Sequence, residues 1–120
     1  MMGKAAEHLR SAEILWRQGQ YRDAVSRAYY ASFSAMYALV GEPSRGRWEH
    51  PGLRGAFVQQ LAARGVSAAE CRRLRRLLRL LHDARIDADY TTMAIDATTA
   101  QEALAVAQEI LEIVQRYMQQ

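Results

Sequence analysis

Apolar residues recur every three or four positions along almost the whole chain, which is the spacing of amphipathic α-helices rather than of strands. This pattern predicts an all-α protein with five helices. The predicted ranges are about 4–18, 21–40 and 51–64, then one helix that begins at 67 and one that ends near 118. The length suits a single domain, 1–120, because a chain of this size can bury roughly two-thirds of its unfolded surface.

Residues that favour turns and caps mark the ends of these helices. Gly19 follows the first helical stretch, where a glycine commonly ends a helix. The segment 41–52 contains both prolines of the chain and is the one predicted loop. Ser67 begins a capping box that opens the fourth helix. Either Asp96 or a second box at 99–102 is predicted to open the fifth.

The last helix carries two apolar stripes. The first has the spacing of helices that pack nearly parallel and consists of Ala97, Ala100, Leu104, Ala107, Leu111, Val114 and Met118. The second lies on a different side and consists of Val106, Ile110, Ile113 and Tyr117. A helix that is apolar on two sides must be covered twice. We predict that its own core covers one side and a second copy of the chain the other, as in a homodimer.

The predicted fourth helix has leucines on one side and arginines on the other, but Arg85 does not follow this division. At about 100° per residue it falls beside Leu74 and Leu78, where an unpaired charge would be costly. Asp89 follows one turn later, so we predict that it pairs with Arg85. A guanidinium fixed by a carboxylate can present a fork to phosphate, and alternatively the pair only fixes the helix end.

The polar side of the second helix holds two tyrosines among charged and hydroxyl side chains: Asp23, Ser26, Arg27, Tyr30, Ser34 and Tyr37. Tyrosine and arginine are frequent at protein interfaces, and both also bind nucleic acid. The interface reading is favoured, while Arg27 and Tyr30 remain candidates for nucleotide or RNA binding. We also predict that Arg27 lies near Arg85, Asp89 and Tyr90.

Composition narrows the classes of protein. Half of the residues are apolar and 24% are charged, as in a folded globular protein and unlike a disordered one. No apolar run is long enough to span a membrane and the first residues lack a signal peptide, so we expect a cytoplasmic location without membrane association. Cys71 is the only cysteine, which excludes an intrachain disulfide. With three scattered histidines, we expect no metal site and no cofactor.

Charge is unevenly distributed along the chain. Residues 45–85 contain ten basic and three acidic side chains, whereas residues 86–120 contain one basic and six acidic side chains. The middle of the chain therefore has a net charge of +7 and its end a net charge of −5. Such a distribution can hold a polyanion, can dock a partner of complementary charge, or can simply be a solvated arginine face.

Three segments resemble the small single-domain branch of the HEPN family. Residues 23–33, Asp-Ala-Val-Ser-Arg-Ala-Tyr-Tyr-Ala-Ser-Phe, resemble its second-helix signature. His50 before Pro-Gly-Leu, with Phe57 following, is similar to its loop and third helix. The run Arg85-Ile-Asp-Ala-Asp-Tyr90 is similar to its motif at the end of the fourth helix. In order and spacing the three segments cover nearly the whole chain.

The resemblance implies a five-helix up-and-down bundle that dimerises and is encoded beside a minimal nucleotidyltransferase in two-gene systems of the toxin-antitoxin kind. It also implies that active relatives cleave RNA without metal, with an Arg and a His spaced four to six residues apart. Arg85 matches that Arg, but Tyr90 occupies the His position. A phenol releases its proton only near pH 10, so it is a poor general base at neutral pH.

Three functional hypotheses follow. The leading one is a HEPN binding module, dimeric and partnered with a nucleotidyltransferase, in which Arg27, Tyr30, His50 and Asp89 bind nucleotide or RNA. The second is a metal-independent endoribonuclease toxin in which Arg85 stabilises the phosphorane while Tyr90, or His50 brought across a dimer, moves the proton. The third is a purely structural helical module for protein interaction. Residues 19–24 also resemble part of a tetratricopeptide repeat. A solenoid of such repeats is not expected, because no second copy of this segment occurs about 34 residues later.

Overall fold

The computed structural model describes residues 2–119, which fold into five α-helices: α1 (Met2–Arg17), α2 (Tyr21–Val40), α3 (His50–Ala63), α4 (Ala68–Tyr90) and α5 (Ala97–Met118). None of the residues in this range lies in a strand. The predicted all-α class and the number of helices are therefore confirmed. No helix in this part of the chain is long and apolar enough to cross a membrane.

The centre of the bundle is α2, which packs against each of the four other helices. Its buried face carries alanines at 24, 28, 31 and 35, none of which has any exposed surface. Small side chains let neighbouring helices approach closely, and larger ones from the other helices fill the remaining space. Met36, Leu53, Phe57, Leu74 and Ile110 are among the largest fully buried side chains, and they come from four different helices.

The helix starts follow the expected chemistry with one difference. The Ser67 hydroxyl accepts a hydrogen bond from the amide of Glu70, as the first half of a capping box requires. The carboxylate of Glu70, however, is paired with Arg73. Of the two starts considered for α5, the structure has Asp96, whose carboxylate accepts from the amide of Thr99 at 2.8 Å.

The predicted loop at 41–52 is shorter than expected, because α3 already begins at His50. It is closed by the Trp48 indole, which donates to the carbonyl of Gly41 at 2.6 Å. A further non-helical segment, residues 91–96, lies between the end of α4 and the predicted start of α5 at Asp96. One α2 side chain, Arg22, anchors this segment by donating to carbonyls at its start and just before it, those of Asp87, Ala88, Thr91 and Met93.

The second apolar stripe of α5 is buried within one chain. Val106, Ile110 and Ile113 are 8%, 0% and 7% exposed, because α5 packs against α1, α2 and α4. The prediction that these side chains need a second copy of the chain as cover is therefore wrong. Met118, from the stripe assigned to the core, is half exposed at the end of the helix.

Candidate functional site

Arg85 is the centre of a polar cluster near the end of α4. Only 7% of the residue is exposed, and its guanidinium is held from three directions. Nε donates to Oδ2 of Asp89 at 3.0 Å, and Nη2 donates to the hydroxyls of Tyr30 at 3.0 Å and Tyr90 at 3.4 Å. The predicted contact with Asp89 is confirmed. Helix geometry explains it, since residues four apart are neighbours on one face.

Three tyrosine rings surround the Arg85 guanidinium. Its central carbon lies 5.1 Å from the ring centre of Tyr29, 5.5 Å from that of Tyr30 and 5.3 Å from that of Tyr90. Each distance is within the range of a cation–π interaction. Although burial opposes the charge, the Tyr30 phenol and the hydrogen bonds raise the pKa of Arg85 above its ordinary value. The guanidinium is therefore a fixed positive charge.

One nitrogen of Arg85 remains available. Its hydrogen bonds to residues 2–119 use Nε and Nη2, and none of them uses Nη1. The fully buried side-chain atoms without a partner in that range are Nη1 of Arg54 and Oε1 of Gln60, so Nη1 of Arg85 reaches the surface. This nitrogen can donate to a bound molecule without breaking a bond of the cluster.

His50 lies beside the cluster and not in a flexible loop. It is the first residue of α3, and its Nδ1 is hydrogen-bonded to the hydroxyl of Tyr29. Its ring centre is 5.4 Å from that of Tyr29 and 5.0 Å from that of Phe33. Burial lowers the pKa of His50 below its usual value, and the positive charge of Arg85 lowers it further. The imidazole is therefore neutral at neutral pH.

The two other histidines of the chain also face this cluster, which the sequence reading missed. The ring centre of His82 is 6.1 Å from that of Tyr29, and the ring centre of His8 is 6.2 Å from that of Tyr30. The signal for His82 was present in the sequence, because it precedes Arg85 by three residues on the same helix and must lie near the same face. No comparable local signal connects His8 to the cluster.

Tyr29 was not predicted as a site residue, although it lies at the centre of the contacts between Arg85 and the histidines. It is 3% exposed, and its ring contacts Arg85, His50 and His82. Burial raises the pKa of its phenol, so the hydroxyl stays protonated at neutral pH. Tyr29 therefore supports the other side chains and can relay a hydrogen bond to the imidazole of His50.

The remaining predicted residues lie at the edge of the cluster. Arg27 is exposed, and its Nη1 is 3.4 Å from Nδ1 of His8, so it reaches Tyr30 only through that ring. The hydroxyl of Ser26 donates to Oδ2 of Asp89 at 3.4 Å. Tyr90 is 68% exposed and lies where a bound molecule would meet it. The structure thus brings Arg85, Asp89, Tyr30 and Tyr90 into direct contact and leaves Arg27 outside.

Residues 2–119 contain no group of three or more His, Cys, Asp or Glu side chains placed to hold a metal ion. The site instead combines a fixed guanidinium, neutral imidazoles and phenols. Such a set can bind a phosphate through the guanidinium, stack on bases through its rings and move a proton through an imidazole.

A five-helix bundle with an arginine site at the end of its fourth helix defines the class of this protein. The sequence matches the HEPN domain over residues 1–117, so the chain belongs to the HEPN family. It is also similar to a Methanocaldococcus jannaschii protein named "Putative toxin MJ0605", with 33% identity over 112 residues. The alignment covers 93% of this chain and 79% of that relative.

Proposed function

We propose that this HEPN protein binds RNA at the Arg85 cluster and acts as the RNA-associated component of a toxin-antitoxin-like pair. The observation that carries the proposal is the state of Arg85: two of its guanidinium nitrogens are fixed by Asp89, Tyr30 and Tyr90, while Nη1 reaches the surface. A guanidinium held in this way loses little side-chain entropy when it binds a phosphate oxygen.

The surroundings of Arg85 favour a nucleic acid over a free phosphate. The exposed ring of Tyr90 and the half-buried ring of Tyr30 flank the guanidinium and can stack on bases. Exposed arginines on α4 add positive charge: Arg72, Arg75, Arg76 and Arg79. Contacts of this kind give an affinity that falls as the salt concentration rises.

Two partners belong to the same proposal. The relative named as a toxin supports a role in a toxin-antitoxin-like system, and the family resemblance supports a minimal nucleotidyltransferase as the second component. A second copy of the chain is the other proposed partner. The arginine side of α4 and the acidic residues of α5 carry the complementary charges that such a homodimer would use.

The binding proposal is tested with a labelled single-stranded RNA and fluorescence anisotropy. Arg85→Gln should weaken binding several-fold, whereas Arg116→Gln, the same charge change on α5, should have a smaller effect. Circular dichroism must give equal helix content for both variants. Equal affinities of the wild type and Arg85→Gln for RNA would refute a binding site at Arg85.

A second candidate function, RNA cleavage, is favoured by the position of His50. The imidazole is neutral and hydrogen-bonded to Tyr29, whose ring also contacts Arg85. In this reaction the ribose 2′-oxygen attacks the phosphorus and its proton passes to His50. The bond to the 5′-oxygen then breaks as the His50 imidazolium returns the proton to that oxygen. Arg85 would neutralise the charge that develops on the phosphorane. A 2′,3′-cyclic phosphate and a protonated 5′-oxygen would result.

A further inference from the structure

A second concentration of positive charge lies between α3 and α4. It lines a cavity of about 220 Å³ formed by Pro51, Arg54, Gly55, Arg75, Leu78 and Arg79. Three of these six side chains are arginines and none is a carboxylate. Like charges around one small cavity repel each other, so an anion bound there would relieve the repulsion.

The charges of these arginines are poorly neutralised by the protein. Arg79 has Nε 3.5 Å from Oδ1 of Asp83, but both side chains are largely exposed and such pairs contribute little. No ion pair within residues 2–119 involves Arg54 or Arg75. Nη1 of Arg54 is also buried without a hydrogen-bond partner in that range, so its guanidinium is incompletely satisfied.

The cavity lies close to the Arg85 cluster, because α3 contributes residues to both. Pro51 follows His50 directly in α3, and Arg54 lies one turn further along the same helix. The charges of Arg54 and Arg85 both act on His50, whose pKa is lowered first by burial and then by these neighbours and His82. Both charges also act on the Tyr29 phenol. The positive charges of Arg54 and Arg85 therefore act on the same two rings.

We infer that this cavity is a second phosphate site, which takes a phosphate of the RNA strand whose neighbouring phosphate group binds at Arg85. The inference rests on the proposed RNA binding and extends it from one contact to a path along the strand. The cavity is smaller than the roughly 300 Å³ of typical ligand pockets, so it suits a single phosphate group rather than a whole nucleotide.

RNA fits this path better than an acidic peptide. Aromatic rings lie beside the Arg85 site, where Phe33 and His50 are half-buried next to the ring of Tyr29. A strand that carries bases can stack on such rings while its phosphates contact the arginines. A polycarboxylate gains only from the charges, and it would not distinguish the cavity from other exposed arginines.

The test compares two double variants on the same helix. Arg75→Gln with Arg79→Gln changes the cavity, whereas Arg72→Gln with Arg76→Gln makes the same charge change at exposed positions that do not line it. Arginine and glutamine have similar helix propensities, so both proteins should fold equally well. Binding of a labelled single-stranded RNA is measured by anisotropy at several salt concentrations.

The cavity variant should lose about tenfold or more in affinity, and the magnitude of its slope of log affinity against log salt should fall by about 0.7, the value for one lost phosphate contact. The matched variant should lose much less. Gly55→Glu provides an independent check, because a Cβ at Gly55 meets no atom within 4 Å and the new carboxylate would enter the cavity. Gly3→Glu on α1, where a Cβ also meets nothing, is its control.

The outcomes separate this inference from the proposed function. Equal losses in the two double variants, with Arg85→Gln still harmful, would overturn the cavity site and leave RNA binding at Arg85. A loss confined to the cavity variant, with Arg85→Gln harmless, would support the cavity and refute the Arg85 site. Polyglutamate that competes with RNA at equal charge concentration would refute the choice of RNA as ligand. Absence of RNA binding by the wild type would refute both.

Discussion

The family resemblance implies a histidine at the position of Tyr90, whose hydroxyl is 3.4 Å from Nη2 of Arg85. We expect the wild type to cleave single-stranded RNA weakly or not at all, because a positioned proton-transfer group of suitable pKa contributes roughly 10² to 10⁴ in rate. Tyr90→His should raise cleavage, and Arg85→Ala should abolish that gain. Cleavage is measured in a chelator with a labelled RNA.

Cleavage by the wild-type protein and by His50→Gln tests whether His50 transfers the proton. If it cleaves RNA strongly and His50→Gln removes the activity, then His50 replaces the missing histidine and the second candidate function is correct. If Tyr90→His leaves cleavage unchanged, the motif position does not decide activity in this protein.

His50 also makes stability depend on pH. Its folded pKa is lowered by burial and by Arg85, so the unfolded chain binds this proton more readily than the folded one. The contribution of His50 to stability is present above its unfolded pKa, near 6.5, and is lost as the pH falls below that value. We expect the free energy of unfolding to be lower at pH 5 than at pH 7.

Urea denaturation at the two pH values tests this expectation. His50→Gln should reduce the difference, and His8→Gln should reduce it further, because burial and Arg27 also lower the pKa of His8. The carboxyl groups whose pKa is lowered, those of Glu70 and Asp96, lose their contribution only at more acidic pH. An unchanged difference in His50→Gln would contradict the assignment.

At the scale of the element, the start of α5 depends on Asp96. Its carboxylate accepts from the Thr99 amide, and this hydrogen bond lowers the pKa of Asp96. Asp96→Ala should cost about 1 kcal/mol of unfolding free energy at pH 7, whereas Asp96→Asn, which keeps an acceptor, should cost only a few tenths. The advantage of Asp96 should disappear as the pH falls through its lowered pKa. Chemical denaturation of the three proteins measures both effects, and an equal cost for Ala and Asn would exclude the cap.

The helices themselves could be predicted because each carries its own periodicity, glycines and caps. The capping choice between Asp96 and 99–102 was open, since both satisfy the local rule. The anchoring of segment 91–96 was missed because Arg22, which donates to its carbonyls, lies far away in sequence on α2. Local patterns describe an element well and describe its tertiary anchors poorly.

The same distinction applies to the site across the whole molecule. Arg85 and Asp89 could be paired from the sequence because both lie on one helix. The convergence of His8, His50 and His82 on two tyrosines could not, because it depends on how three helices pack against α2. The burial of Val106 and Ile113 by other helices of the same chain also depends on tertiary packing and could not be predicted from the sequence.

At the scale of the whole molecule we still predict a homodimer. The surface proposed for the contact is no longer the second apolar stripe of α5 but a groove between α4 and α5. A groove of about 640 Å³ runs between α4 and α5, and its lining includes the apolar side chains of Leu77, Leu80, Leu81, Ala103 and Val106. Leu80 is 63% exposed there and extends the apolar part of the groove to the surface. Four carboxylates also line the groove: Asp83, Asp87, Glu102 and Glu109. We expect a second copy to bind this surface, because the exposed arginines of its own α4 complement that acidic lining.

Light scattering at micromolar concentrations should therefore give twice the mass of the 13.6 kDa chain. Leu80→Glu should produce monomers, because it places a charge at the centre of the apolar contact and adds to an acidic surface. Ile14→Glu is the matched control, since Ile14 is 52% exposed on α1, outside the groove. High salt should weaken the dimer by screening the charges around the groove. A wild-type monomer, or equal dissociation by the two substitutions, would show that this groove does not bind a second copy.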